Sequence, residues 1–155
     1  MLRLASTLMV AAGYLSLAAP DRWTATLHSM VQNGPTGTVQ VESVGTDSMK
    51  VSIAIDNAPS GVLLHWYVSA GGCDGGGNIV GKESGYPALR TVEGGTKAEV
   101  SATVRAWPNP TERYAIQVIA PVPAPSLKAD PKTAASKTRV IACGDLEPAG
   151  VTPSN

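Results

Sequence analysis

Residues 49–56, MKVSIAID, alternate without a break. Met49, Val51, Ile53 and Ile55 fall on one side, and Lys50, Ser52, Ala54 and Asp56 on the other. Successive side chains of an extended chain point to opposite faces, so this order gathers an apolar face only in a strand. Wound at 3.6 residues per turn it would scatter. Residues 38–44 (TVQVESV) repeat the pattern with Val39 and Val41 against Thr38, Gln40 and Glu42. Residues 97–105 (KAEVSATVR) repeat it with Ala98, Val100, Ala102 and Val104 inward. Further strands are expected at 23–30, 62–69, 114–120 and 138–142. Turn sequences lie between them at Asn33-Gly34-Pro35, Gly45-Thr46-Asp47, Ala58-Pro59-Ser60-Gly61 and Pro108-Asn109-Pro110. About seven short strands at this spacing predict an all-β sandwich or barrel.

Composition agrees. The chain has no Phe, sixteen Gly and twelve Pro in 155 residues, so a core must come from β-branched and small side chains. That length suits one domain. The formal net charge is zero, which removes the electrostatic case for binding nucleic acid.

Residues 1–22 (MLRLASTLMVAAGYLSLAAPDR) form a separate unit, either a signal peptide or an uncleaved transmembrane anchor. Ser16 and Ala18 suit cleavage. As a helix, residues 4–19 would span about 24 Å, a little short of the roughly 30 Å hydrocarbon layer, with Arg22 and Trp23 at its outer interface. Either reading exports the domain. Two cysteines, Cys73 and Cys143, are an even count for that compartment and read as one disulfide. The sandwich is expected over 23–146, with a flexible tail over 147–155. Two connections, 70–96 and 121–137, are unusually long.

The segment His65-Trp66-Tyr67-Val68-Ser69-Ala70-Gly71-Gly72-Cys73 and the later Ala142-Cys143-Gly144-Asp145-Leu146 resemble two landmarks of the copper/zinc superoxide dismutase family. In that family a strand with a His-x-His pair enters a glycine-bearing loop whose Cys bonds an Ala-Cys-Gly near the C-terminus. The resemblance covers roughly residues 24–146. It implies a Greek-key antiparallel β-sandwich or flattened barrel of about seven to eight strands, here preceded by an N-terminal hydrophobic helix. It also places the copper-ligand histidines at Tyr67 and Ser69 and a third at Ile119. No histidine follows His65, so the family's bridging and zinc ligands are missing too. Copper redox cycling needs several imidazoles around one metal, and Tyr, Ser and Ile do not supply them. The chain is therefore read as a degenerate, non-catalytic relative with no cofactor.

Replacement sites are weak. His28 beside Met30, with Met49 elsewhere, carries copper(I)-type donors, but Met49 belongs to a core face by alternation. No Gly-x-Ser-x-Gly elbow occurs. The glycines at 75–77 lack a following Lys-Ser/Thr and open no helix, so they are not a phosphate loop.

Alternation puts His65, Tyr67 and Ser69 on one outward face, joined across the sheet by Gln117 and Ile119. Either the long loops cover this face or it meets a partner. Trp23, His65, Tyr67, Gln117 and Ile119 are thus the candidate interface. The expected role is an accessory subunit, tethered through residues 4–19 to the bilayer. Its periplasmic sandwich would pack on other subunits of a larger membrane complex, with bioenergetic and photosynthetic assemblies among the hosts considered. A freely secreted binding module and a residual metalloenzyme are the alternatives.

Overall fold

The computed structural model describes residues 21–74, 77–91, 95–106, 108–109, 111–121 and 138–149. The N-terminal helix expected over 4–19, most of the connection expected over 121–137, and residues 150–155 lie outside them. Among the described residues no helix is long and apolar enough to cross a membrane. The strands are β1 (Arg22–Ser29), β2 (Thr36–Val44), β3 (Ser48–Asp56), β4 (Leu63–Ala70), β5 (Leu89–Arg90), β6 (Ala98–Val104), β7 (Tyr114–Pro121), β8 (Thr138–Asp145) and β9 (Glu147–Pro148). A 3-10 turn, Glu83–Gly85, precedes β5.

All the strand pairings are antiparallel, in the order β5-β4-β7-β8-β1-β2-β3-β6, with β9 on β1. The sheet curls until it is nearly a closed barrel. Its inner face is the alternation read from sequence: Trp23, Ala25 and Leu27 on β1, Val39 and Val41 on β2, Met49 to Ile55 on β3, and Trp66 and Val68 on β4. The turns carry their torsional demands where the sequence places turn residues. Asn33 (φ 52°) and Gly45 (φ 73°) turn the first two hairpins, and Asn57 (φ 56°) and Gly61 (φ 67°) turn the chain from β3 towards β4. Asn and Gly tolerate this left-handed region best.

Two strands were not anticipated. β5 is only two residues long, too short to show a period. β9 occupies the start of what reads as a flexible tail: Trp23 pairs with Pro148, Thr24 with Glu147, and Ala149 N–H donates to Arg22 O at 2.9 Å. β8 reaches β1 only at His28 and Ser29. Without β9 the other half of that edge would face water unpaired. The domain therefore runs at least to Ala149.

Trp23 is a second correction. Expected at a lipid interface, it is 3% exposed and sits in the core. Its alternation with Ala25 and Leu27 decides its side. Its indole N–H finds no hydrogen-bond acceptor among the described residues, a cost of about 1–3 kcal/mol that burial of the ring must exceed.

Between β5 and β6 no ladder joins the described residues. Side chains close that gap. Trp66 meets Tyr86 edge-on with ring centroids 5.1 Å apart and donates from Nε1 to Pro87 O at 2.7 Å. The Tyr86 hydroxyl donates to Val80 O at 2.7 Å, and Leu89 is fully buried beside them.

The closure of β8 on β1 needs a bare backbone. A Cβ on Gly144 would lie 2.4 Å from Thr26 O, whereas one on Gly85 meets only Val104 methyls at 3.7 and 3.8 Å. Gly144→Ala is therefore expected to cost on the order of 1–3 kcal/mol of stability, the usual range for overpacking, while Gly85→Ala changes it little. Urea unfolding of both variants checks this, and equal midpoints would contradict the seam described.

Candidate functional site

The residues singled out from sequence meet on one wall. Directly opposed residues of an antiparallel pair share a face, so the register of β4, β7, β8 and β1 defines rungs. One rung runs His65, Ile119, Val140. The next runs Tyr67, Gln117, Cys143, His28. A third runs Ser69, Ala115, Asp145. His65, Tyr67, Ser69, Gln117 and Ile119 are thus on one face, as alternation predicts. Ile119 stands opposite His65 rather than opposite Tyr67 or Ser69.

Their exposure is uneven. Ser69 is 0% exposed, and of the five candidate interface residues Trp23, Gln117 and Ile119 are buried at 3%, 8% and 7%. His65 is exposed and Tyr67 half-buried. The chain after β4 accounts for much of the cover. It turns at Gly71 (φ 91°), whose N–H donates to Arg113 O at 2.8 Å. Cys73 N–H donates to Asp145 Oδ1 at 3.0 Å, and Cys73 is disulfide-bonded to Cys143. Cys143 lies on the rung of Gln117 and Tyr67, so the disulfide pulls the loop over that face. Arg113 holds the same corner from outside, with Nη2 3.6 Å from Asp145 Oδ2. Residues 78–80 then return beside β4. Ala70 N–H donates to Asn78 O and Val80 N–H to Val68 O, both at 2.9 Å.

The groups left are poor reagents. Burial, and then the Glu83 carboxylate, raise the Tyr67 phenol above its ordinary pKa, so it is a neutral donor near pH 7. The Ser69 hydroxyl reaches only Ala115 O, at 3.4 Å. His28 and His65 are separated by β8 and β7. Three interstrand spacings of about 4.8 Å put their backbones roughly 14 Å apart, too far for one ion held at about 2 Å from each nitrogen. Met49 is fully buried in the core and Met30 is 54% exposed. Among the described residues no three His, Cys, Asp or Glu side chains converge as a metal cluster. A phenol, a hydroxyl and a sec-butyl group do not fit copper or zinc, and no step through either ion is derived.

Arg113 completes the corner with Asp145, and Glu83 acts on the Tyr67 phenol. Neither Arg113 nor Glu83 had a signal of its own in the sequence, whereas Asp145 lies in the second landmark segment.

Copper and zinc loaded onto the purified chain and then dialysed are expected to leave less than one ion per chain, with no dismutase activity. Elemental analysis decides this, and one retained copper per chain with redox activity would overturn the assignment of this wall.

No protein-family model, no characterised protein sequence and no solved structure matches this chain.

Proposed function

We propose that this chain is a non-catalytic accessory subunit, a degenerate relative of the copper/zinc superoxide dismutase sandwich, tethered at the outer side of a membrane. In this reading it packs on a larger membrane complex. The observation that carries it is the wall just described. The three positions where the family's copper-binding imidazoles belong hold Tyr67, Ser69 and Ile119, two of them buried, in a fold that keeps its disulfide.

The strand order supports the Greek-key form of the fold. β7 lies beside β4 with β5 on the other side of β4, while β6 pairs with β3, so sequential strands are separated by crossovers as in a Greek key. Cys73 in the loop after β4 bonds Cys143 in β8, as the resemblance implies.

Residues 4–19 supply the tether, and the fold begins almost at once after them. Ser43 N–H donates to Asp21 O at 3.0 Å and Ala149 N–H to Arg22 O at 2.9 Å. With so little slack, the barrel end that carries Gly71–Cys73 and Asp145 would sit next to the bilayer. The reachable part of the wall, His65 and Tyr67, would then face a neighbour at the membrane surface. Neutral overall charge and a phenol that stays protonated favour a protein partner over nucleic acid.

Alkaline carbonate strips peripheral proteins from membranes. The full-length chain is expected to stay with the pellet. Release at full length would defeat the tether, and release of a chain shortened by its first eighteen or so residues would mean a secreted module.

A further inference from the structure

The barrel end opposite Arg22 opens into a cleft of about 350 Å³ whose lining includes neither His65 nor Tyr67. Three separate stretches build it: the β1–β2 turn, the β3–β4 connection, and the adjoining ends of β7 and β8. Val31, Pro35, Pro59 and Val62 give apolar walls, and Ala120 and Ile141 bring its floor down to the core. Two of the large hydrophobic side chains left exposed adjoin it in sequence, Met30 (54%) next to Val31 and Leu63 (37%) next to Val62.

One charge lines this cleft, that of Arg139. Among the described residues Arg139 has no ion pair, while Arg22, Lys97, Arg105 and Arg113 each have one. The amides of Asn33 and Asn57 stand at the rim, held on left-handed turns. Backbone groups at the walls are already engaged. Gly34 N–H donates to Val31 O at 3.2 Å and Met30 N–H to Ile141 O at 2.9 Å. Strand addition by a peptide therefore finds no ladder at those groups, and recognition falls to side chains.

We propose that this cleft binds a compact single-chain anionic amphiphile, its hydrocarbon against Val31, Val62 and Ile141 and its carboxylate on Arg139. Small sites of this kind are mostly apolar, with a few polar groups that fix orientation, and run upward from about 300 Å³. The guanidinium offers the paired N–H geometry that a carboxylate takes. A neutral chain would gain nothing from that charge, and a cationic one would be repelled.

Calorimetric titration of the purified full chain with octanoate, hexanoate, 1-octanol and octylamine tests this. Methyl chemical shifts of Val62 and Ile141 report the place of binding. Octanoate is expected to bind and to move both methyl signals. Each methylene removed should weaken it about fourfold. Arg139→Gln should weaken octanoate about two- to fivefold and leave octanol unchanged. Arg139→Lys should keep much of the preference for the anion. Arg139 is exposed, so these variants are expected to melt with the parent, and the melt is recorded alongside. Absence of octanoate binding, equal binding of octanoate and octanol, unmoved methyl signals, or an Arg139→Gln variant that binds octanoate as before would each overturn the proposal.

Discussion

A curled sheet has to hide two edges, and here they approach each other at β5 and β6 without a ladder between the described residues. The barrel holds there because the side chains of Trp66, Tyr86 and Leu89 fill the space that a ladder would otherwise organise. Phe is absent from the chain, so two large rings, each anchored by a hydrogen bond to backbone, take over what several Phe residues do elsewhere. That plug uses residues 80–91, and those residues can reach β6 only if the chain leaving β4 is first turned back. The disulfide and the bonds of Gly71 and Cys73 make that turn. Barrel closure and the covering of the wall are two results of one loop path.

The same path explains why much of the wall is covered. Cys143 shares a rung with Gln117 and Tyr67, so the disulfide brings backbone over that part of the wall. Ser69 and Gln117 are buried there, and the Ser69 hydroxyl donates to Ala115 O. What stays reachable, His65 and the neutral phenol of Tyr67, suits contact better than catalysis. The opposite barrel end differs in kind, because its apolar cleft carries a charge without a partner among the described residues.

Strands with one wet face were legible residue by residue. Met49 to Ile55, Val39 and Val41, and Ala98 to Val104 point where their alternation says. β7 was legible only as a strand, since it is buried on both faces from Tyr114 to Ala120 and its outer cover comes from elsewhere in the chain. β5 and β9 were not legible, because two residues hold no period and both exist to pair an otherwise open edge. Trp23 was misread because the apolar run before it invites a lipid interface, while its own alternation with Ala25 and Leu27 sends it inward. At the site, sequence could assign faces but not burial. Sharing a face is a local property, whereas burial depends on where a loop returns. The cleft around Arg139 had no signal, being assembled from stretches that only the topology brings together.

The central claim is that the reachable part of the β4–β7 wall is a contact surface for a protein at the membrane. A photo-crosslinking residue placed at His65 or Tyr67, with Thr103 on the outer face of β6 as the control position, tests it directly in native membranes. The account predicts one discrete crosslinked product from both wall positions and none from position 103. Crosslinks of equal yield at all three positions, or none at any of them, would contradict it.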